Sequence, residues 1–136
     1  MTVSECQDIW RWLNLAHITG YVGLTHVYTR VNLLEGVAQT YGLFGRQSIE
    51  FKRLKELGLD GGTGNAAYGE FLVWVLRCIS SASSRGVLDA ATTENMQSLV
   101  LQMRAGMTGL YDYQFQARSS PHSNPASPDA TWSSRP

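Results

Sequence analysis

Histidine and cysteine, the side chains best suited to metal binding and nucleophilic catalysis, are few and scattered in this chain. His17 and His26 are nine residues apart, which does not place them as adjacent ligands on one helix face. No Asp or Glu stands at a metal-binding spacing from them or from His122. Cys6 and Cys78 lack zinc-site spacing and are too few for a disulfide framework. We therefore expect no metal and no cofactor, with both thiols acting as small apolar groups in a reducing compartment.

Serines and glycines also lack the partners that catalysis or phosphate binding would need. The serine-rich stretch at 80–84 contains no GxSxG nucleophile elbow, and no histidine is placed by sequence to activate a serine. Arg77 stands three residues before Ser80, a spacing that basic-directed kinases recognise but that arises often by chance. The stretch GLDGGTGN at 58–65 lacks the lysine of a phosphate-binding loop, so we interpret it as a flexible connector. The sequence predicts no enzyme.

The remaining ionisable and hydroxyl-bearing residues are interpreted as surface or packing groups. Tyr111 and Tyr113 could offer hydroxyls to a ligand, but aromatic residues at a helix end more often anchor packing. Four acidic residues are scattered along the chain and are interpreted as solvated surface: Glu50, Glu56, Asp60 and Glu70.

Length and composition limit the class of protein. The chain has 136 residues, enough for one small domain but too few for two with separate cores. Its eleven basic and eleven acidic residues cancel, which argues against a nucleic-acid partner because such proteins carry a basic excess. The first eight residues are polar and lack the apolar core of a signal peptide. The longest apolar run, Phe71 to Leu76, has six residues where a spanning helix needs about 20, so we expect that this chain does not cross a membrane by itself.

The first predicted element is one long helix, or two end to end, from Asp8 to about Tyr41. Apolar residues recur there at helical intervals, and Gly20 and Gly23 are the candidate break points. From Leu13 to Val27 the segment is apolar or uncharged almost all round, which indicates burial on several sides in a larger assembly or near a membrane. We expect 136 residues to be too few to provide that cover.

A short amphipathic helix is predicted from Gln47 to Leu57, between a turn at 42–45 and a capping glycine, Gly58. Its predicted inward residues are Ile49, Leu54 and Leu57. The residues predicted to face water are Glu50, Lys52, Arg53, Lys55 and Glu56.

Two further helices complete an all-α fold of about four helices. The first covers 67–84, although its short apolar run alone could also form a buried strand. The second starts at Asp89, a residue suited to N-capping, and runs to Gln114. Residues 1–116 form the predicted helical region, and the Ser- and Pro-rich stretch 117–136 is predicted to be disordered. The last helix carries an apolar stripe: Met96, Leu99, Val100, Met103, Met107 and Leu110.

Four short blocks stand in a specific order along the chain. They are Arg11 to Leu15, Gly42-Leu43-Phe44 with Glu50 to Leu57, Phe71 to Trp74 leading to Ala82, and Gly86 to Asp89. From Asp89, Arg104 and Leu110-Tyr111-x-Tyr113 then follow without a gap. In this order the blocks resemble the bestrophins, a family of pentameric anion channels, over the region between their second and third membrane-spanning helices.

The resemblance covers Arg11 to Gln114 and includes departures from the family pattern. The proline of the family's W-V-P-x-x-W helix is absent near Trp74, and its R-F-P does not follow Arg30. In the family, the closing tyrosine region leads into the third membrane helix, whereas here a polar stretch follows Gln116. The first two membrane helices, the aromatic neck and the acidic calcium clasp are also missing. We therefore expect a fragment or truncated product, an incomplete helical module of a larger membrane protein.

The resemblance implies a role in chloride transport. The chain would be the cytosolic part of a homopentameric channel for chloride or other small anions, attached to the membrane through segments missing from it and unable to conduct alone. The resemblance also implies one pore residue: Ala91 matches the aliphatic position that narrows the family's cytoplasmic aperture, and its small side chain would leave a wider constriction. The alternative is a small soluble helical module that binds a partner helix through the apolar first segment.

Overall fold

The computed structural model of the protein describes residues 1–45, 49–57 and 65–119, and all regular secondary structure in these ranges is helical. The all-α prediction is therefore confirmed. Within the same ranges, none of the helices combines the length and the apolar character needed to cross a membrane. The elements are α1 (Val3–Tyr21), a π-helix (Val31–Ala38), α2 (Ile49–Glu56), α3 (Asn65–Ser84) and α4 (Ala90–Ser119).

Two predicted segments lie mostly outside the described residues, and the predicted start of the short amphipathic helix, Gln47, lies outside them too. The glycine-rich connector lies there except for its last residue, Asn65, which begins α3. Most of the tail predicted at 117–136 also lies outside, while α4 continues past the predicted end of the ordered region to Ser119.

The first helix, α1, begins at Val3 rather than at Asp8 because a capping box precedes the apolar pattern. The Thr2 hydroxyl accepts a hydrogen bond from the Glu5 N–H at 3.2 Å, and the Glu5 carboxylate accepts one from the Thr2 N–H at 2.8 Å. The backbone hydrogen bond from Thr2, followed by that from the Arg85 side chain, lowers the pKa of Glu5 to about 2. The first turn is therefore fixed by polar contacts outside the core.

One of the two candidate break points ends the first helix. Gly23 has a φ of +83°, a left-handed conformation that favours glycine, whereas Gly20 stays inside α1. The chain then enters the π-helix, which the apolar spacing alone did not predict. An eight-residue π-helix is uncommon, since most π-helical geometry occurs as single-turn bulges.

The short helix α2 presents a different face to the core than the sequence predicted. Leu54 is buried, as expected, but Glu50 is also buried at 4% exposure, whereas Ile49 is 55% exposed. Glu50 and Leu54 are four residues apart and share a helix face, which places Ile49 on the outer side. The predictions for Glu50 and Ile49 were wrong because Glu50 has an ion-pair partner on α1, Arg11.

A Schellman motif joins α3 to α4. Gly86 has a φ of +70°, its N–H donates to the Ser83 carbonyl at 2.8 Å, and the Val87 N–H donates to the Ala82 carbonyl at 3.0 Å. Asp89 then caps α4 as predicted: its carboxylate accepts from the backbone N–H of Thr92 at 2.7 Å. The Thr92 N–H and hydroxyl bonds lower the pKa of Asp89.

Three helices form most of the core as a bundle in which α3 runs antiparallel to both α1 and α4. Glu5 at the start of α1 reaches Arg85 just after the end of α3, with 2.5 Å between carboxylate and guanidinium. Gln97 near the start of α4 bonds Ser80 near the end of α3 at 3.2 Å. The apolar run predicted as helix or strand is helical, and its buried residues are Phe71, Leu72 and Val75, followed by Ile79.

This chain covers much of the first helix itself. Leu15 and Ala16 are fully buried, and Leu13 and Ile18 are partly buried against the core. We expected 136 residues to be too few to cover the segment from Leu13 to Val27. That expectation is wrong for residues 13–21, which belong to α1, because α3 and α4 both pack on this helix. Val27, at 51% exposure, is the apolar residue of that segment left in solvent.

Candidate functional site

A cluster of two carboxylates, two arginines and two tryptophans lies where α1, α2 and α3 meet. Its members come from segments far apart in the sequence, and each tryptophan indole N–H donates to one of the carboxylates. We name this group the tryptophan–carboxylate cluster: Arg11, Trp12, Glu50, Arg53, Glu70 and Trp74.

Glu50 is the buried acid of the cluster, and both of its oxygens are engaged. Oε1 accepts from the Trp12 indole at 3.2 Å, and Oε2 accepts from the Gly45 backbone N–H at 3.0 Å. Glu50 Oε1 also lies 3.1 Å from Arg11 Nη1. The carboxylate therefore ties α2 and the preceding turn to α1.

Arg11 neutralises this buried charge with imperfect geometry. Its Nη2 pairs with Asp8 on the same helix. Its Nη1, although 3.1 Å from Glu50 Oε1, is buried and has no partner within hydrogen-bonding angles. A Cβ on Gly45 would lie 2.6 Å from this Nη1, so the guanidinium also leaves no room for a side chain there. The contact is an ion pair at close range without the directional bond that would best stabilise it.

The second half of the cluster is more exposed. Glu70 Oε1 accepts from Arg53 Nε at 3.1 Å and from the Trp74 indole at 3.1 Å. Burial alone would raise the pKa of Glu70, but these hydrogen bonds outweigh it and hold the pKa below its usual value. The same bond to Glu70, with a second to Glu56, raises the pKa of Arg53.

The two indoles connect the halves of the cluster. Trp12 and Trp74 pack edge to face with ring centroids 5.5 Å apart, and Phe71 packs edge to face on Trp74 at 5.4 Å. An open cleft of ≈ 420 Å³ lies beside them, lined by Ser4, Asp8, Arg11, Trp12, Gly45, Ile49, Glu50 and Trp74. Because the carboxylates are already bound to indole and guanidinium donors, the arrangement suits a tie between helices better than proton transfer.

The candidate pore residue, Ala91, is not a member of this cluster. It is exposed in the first turn of α4, two residues after the capping Asp89. Position and exposure leave its side chain open to a neighbouring molecule, and its role in a pore stays a prediction.

The tyrosines predicted as packing anchors behave differently from each other. Tyr111 is buried, and its hydroxyl donates to the Gly20 carbonyl at 2.5 Å, which satisfies a carbonyl in the last turn of α1. Burial, with a smaller contribution from Tyr68 stacked at 6.0 Å, raises the pKa of Tyr111 to about 12. Tyr113 is 73% exposed and anchors no packing.

The histidines are both surface residues where the structure describes them. His17 is exposed and packs edge to face on Tyr21 at 4.9 Å, and His26 is exposed in the following turn. Among the described residues, no group of three or more His, Cys, Asp or Glu could hold a metal ion. His122 lies outside the described residues.

An apolar groove runs between α1, α3 and α4. In the predicted stripe of α4, Val100 and Met107 are buried, whereas Leu99 is 56% exposed at the edge of the groove. The groove has a volume of ≈ 250 Å³ and is lined by Ile9, Leu13, Val75, Ile79, Met96, Leu99, Val100 and Met103.

Sequence reasoning did not find the tryptophan–carboxylate cluster. Glu50 and Glu70 were interpreted as surface residues, and no pairing with arginines was predicted. One signal was available: Glu50 and Leu54 share a helical face, so the burial of Leu54 also turns Glu50 inward. The identity of its partner, Arg11, could not be read from sequence because the two residues are far apart in the chain.

Comparisons with known proteins give no relative for this chain. No protein-family model matches it, and neither the curated proteins nor the solved structures contain a match.

Proposed function

We propose that this chain forms the cytosolic helical region of a bestrophin-like anion channel, which assembles as a homopentamer and carries chloride or other small anions across a membrane. The proposal starts from the four sequence blocks that resemble the family. In this role the chain supplies helices of the inner vestibule and no membrane-spanning segment.

One observation about packing supports the proposal: three of the four blocks meet in the tryptophan–carboxylate cluster. The first block contributes Arg11 and Trp12, the second contributes Glu50, and the third ends at Trp74. The fourth forms the turn that ends in the cap of α4, Asp89. Residues that carry the resemblance are thus also residues that join the helices of this chain.

Current recordings test the proposal most directly. Cells expressing the longest gene product that contains this sequence should show a chloride current absent from untransfected cells. If that product carries no anion current and does not associate with membranes, the channel proposal is wrong.

A substitution at Ala91 tests the candidate aperture within the same system. Ala91→Ile adds an aliphatic side chain at an exposed position, so it should narrow the pore and lower conductance or change anion selectivity. Ala90→Ile is the matched control, because Ala90 is the adjacent exposed alanine in the first turn of α4. Currents equal to those of the unmodified channel in both variants would remove Ala91 from the pore while leaving the channel itself intact.

The second candidate function is a soluble helical module that binds a partner helix. The apolar groove favours it, because exposed Leu99 and partly buried Met96 and Met103 offer the kind of surface that amphipathic helices occupy. This function predicts a monomer in analytical ultracentrifugation and no anion current from any gene product. A pentamer together with a chloride current would reject it.

A further inference from the structure

The short helix α2 is attached to the bundle by few apolar contacts. Of its eight residues, only Glu50 and Leu54 are buried, and Ile49 is 55% exposed. Phe51 packs edge to face on Phe44 of the preceding turn at 5.6 Å, and Phe44 and Leu57 are partly buried against the core. One fully buried leucine contributes about 1.5–3 kcal/mol and the partly buried side chains contribute less, which is small beside the entropy of ordering a helix of this length.

The main polar attachment is costly to form. Glu50 must lose its water to reach Arg11, and the Arg11 Nη1 atom remains without a hydrogen bond although it is buried. A buried ion pair with imperfect geometry recovers little more than the free energy spent on desolvating its charges. The pair therefore specifies where α2 docks without holding it strongly.

The second polar attachment is open to solvent. Arg53 is bonded to Glu70 on α3 at 3.1 Å, and the two side chains are 38% and 25% exposed. Ion pairs of this kind contribute at most about 1 kcal/mol and are screened by salt. The attachment should therefore weaken as ionic strength rises.

The three long helices supply most of the core, which Leu54 of α2 also joins. Phe71, Val75 and Leu15 are fully buried among α1, α3 and α4, and Tyr111 of α4 bonds Gly20 of α1 directly. Few of these apolar contacts involve α2, so the three long helices can stay packed when α2 is displaced.

We propose that α2 is a strap, latched by the Arg11–Glu50 and Arg53–Glu70 ion pairs, that leaves the bundle and redocks as a unit while α1, α3 and α4 remain folded. Its release exposes more of Arg11, Trp12 and Trp74, which already line the open cleft, and its return covers part of them again. Access to this surface is thereby controlled by charge, a regulatory device independent of whether the chain belongs to a channel.

Hydrogen exchange with mass spectrometry on the purified chain tests the strap. Peptides covering 49–57 should exchange through a local opening, much faster than peptides covering the buried part of α3 at 71–79. Raising NaCl from about 0.05 M to about 1 M should speed exchange in 49–57 by roughly two- to fivefold and leave 71–79 unchanged.

A pair of variants on α2 tests the buried carboxylate. Glu50→Gln keeps one acceptor oxygen and a similar shape, but it leaves the Arg11 guanidinium without its buried counter-charge and leaves either Trp12 or the Gly45 N–H without an oxygen acceptor, so exchange in 49–57 should increase by about tenfold or more. Glu56→Gln is the control on the same helix, since Glu56 is exposed and pairs only at the surface, and it should change exchange by less than about twofold.

One result would contradict the local release of α2, and another would contradict the role of the ion pairs. If 49–57 exchanges as slowly as 71–79 at both salt concentrations, α2 opens only when the whole protein unfolds and the strap is wrong. If 49–57 opens locally but its exchange rate changes neither with salt nor with Glu50→Gln, the ion pairs do not hold α2 and that part of the proposal is wrong. The salt series on the unmodified chain decides the matter even if Glu50→Gln does not fold.

Discussion

The first helix meets its neighbours in two different ways along its length. Near its C-terminal end, Gly20 lets α4 approach so closely that Met107 occupies the space where a side chain would begin. Near its middle, Arg11 and Trp12 hold α2 through charge and hydrogen bonds. The apolar end depends on shape and should respond to changes in volume, whereas the polar middle depends on a buried charge and should respond to removal of that charge.

Truncation of the central aromatic residue should produce the largest loss at the apolar end. Phe71 is fully buried at the centre of the three-helix core, so Phe71→Ala should lower the free energy of unfolding by about 3–5 kcal/mol. Urea titration followed by circular dichroism measures this loss. Val73→Ala on the same helix serves as control, because Val73 is 41% exposed and should cost less than about 1 kcal/mol. Equal losses would contradict a core centred on Phe71.

Removal of the Tyr111 hydroxyl should have an intermediate effect that depends on pH. At neutral pH, Tyr111→Phe loses the bond to the Gly20 carbonyl and should cost about 1 kcal/mol. The raised pKa of about 12 means that the unfolded chain releases the phenolic proton first, near 10, so the unmodified protein loses stability as pH rises through this window.

The stability advantage of the unmodified protein over Tyr111→Phe should therefore shrink and then reverse between about pH 10 and about pH 12. Urea titrations at pH 7, 10 and 11 would follow it. Tyr113→Phe is the control, since Tyr113 is 73% exposed and should show no such trend. A difference that stays constant with pH would place Tyr111 in a more solvated site.

A single methyl group at Gly20 should give a net loss of stability similar to that of Tyr111→Phe, because two opposing contributions partly cancel. Its Cβ would lie 1.8 Å from the Met107 Cε, and overpacking of a core costs about 1–3 kcal/mol. Alanine gains about 1 kcal/mol over glycine inside a helix, so Gly20→Ala should destabilise by only about 1 kcal/mol.

Shortening the Met107 side chain should remove the loss of stability that Gly20→Ala causes. In a Met107→Ala background the space is free, and Gly20→Ala should then be neutral or stabilising, as a double-mutant cycle in urea would detect. If Gly20→Ala destabilises equally in both backgrounds, the close approach of α1 and α4 does not set its cost.

The elements that were predicted from sequence are those governed by local chemistry. Asp89 starts a helix because its own carboxylate caps it, and Gly23 ends one because glycine tolerates a positive φ. Glu50 was misplaced because its burial depends on Arg11, a residue on another helix that no local pattern points to. The same holds for Leu99, whose exposure follows from which side of α4 meets α3. The family resemblance supplied Ala91, whose role in a pore stays a prediction, whereas the tryptophan–carboxylate cluster could be found only from the fold.

The ion pair between Glu5 and Arg85 places the start of the chain beside the turn that leads to α4. Cys6 is exposed next to this pair, whereas Cys78 is partly buried, and burial raises the pKa of its thiol. A thiol-reactive dye at neutral pH should therefore label Cys6 selectively, because the thiolate is the reactive form. The native chain thus carries its own attachment point for a fluorescent probe, near the turn before Ala91.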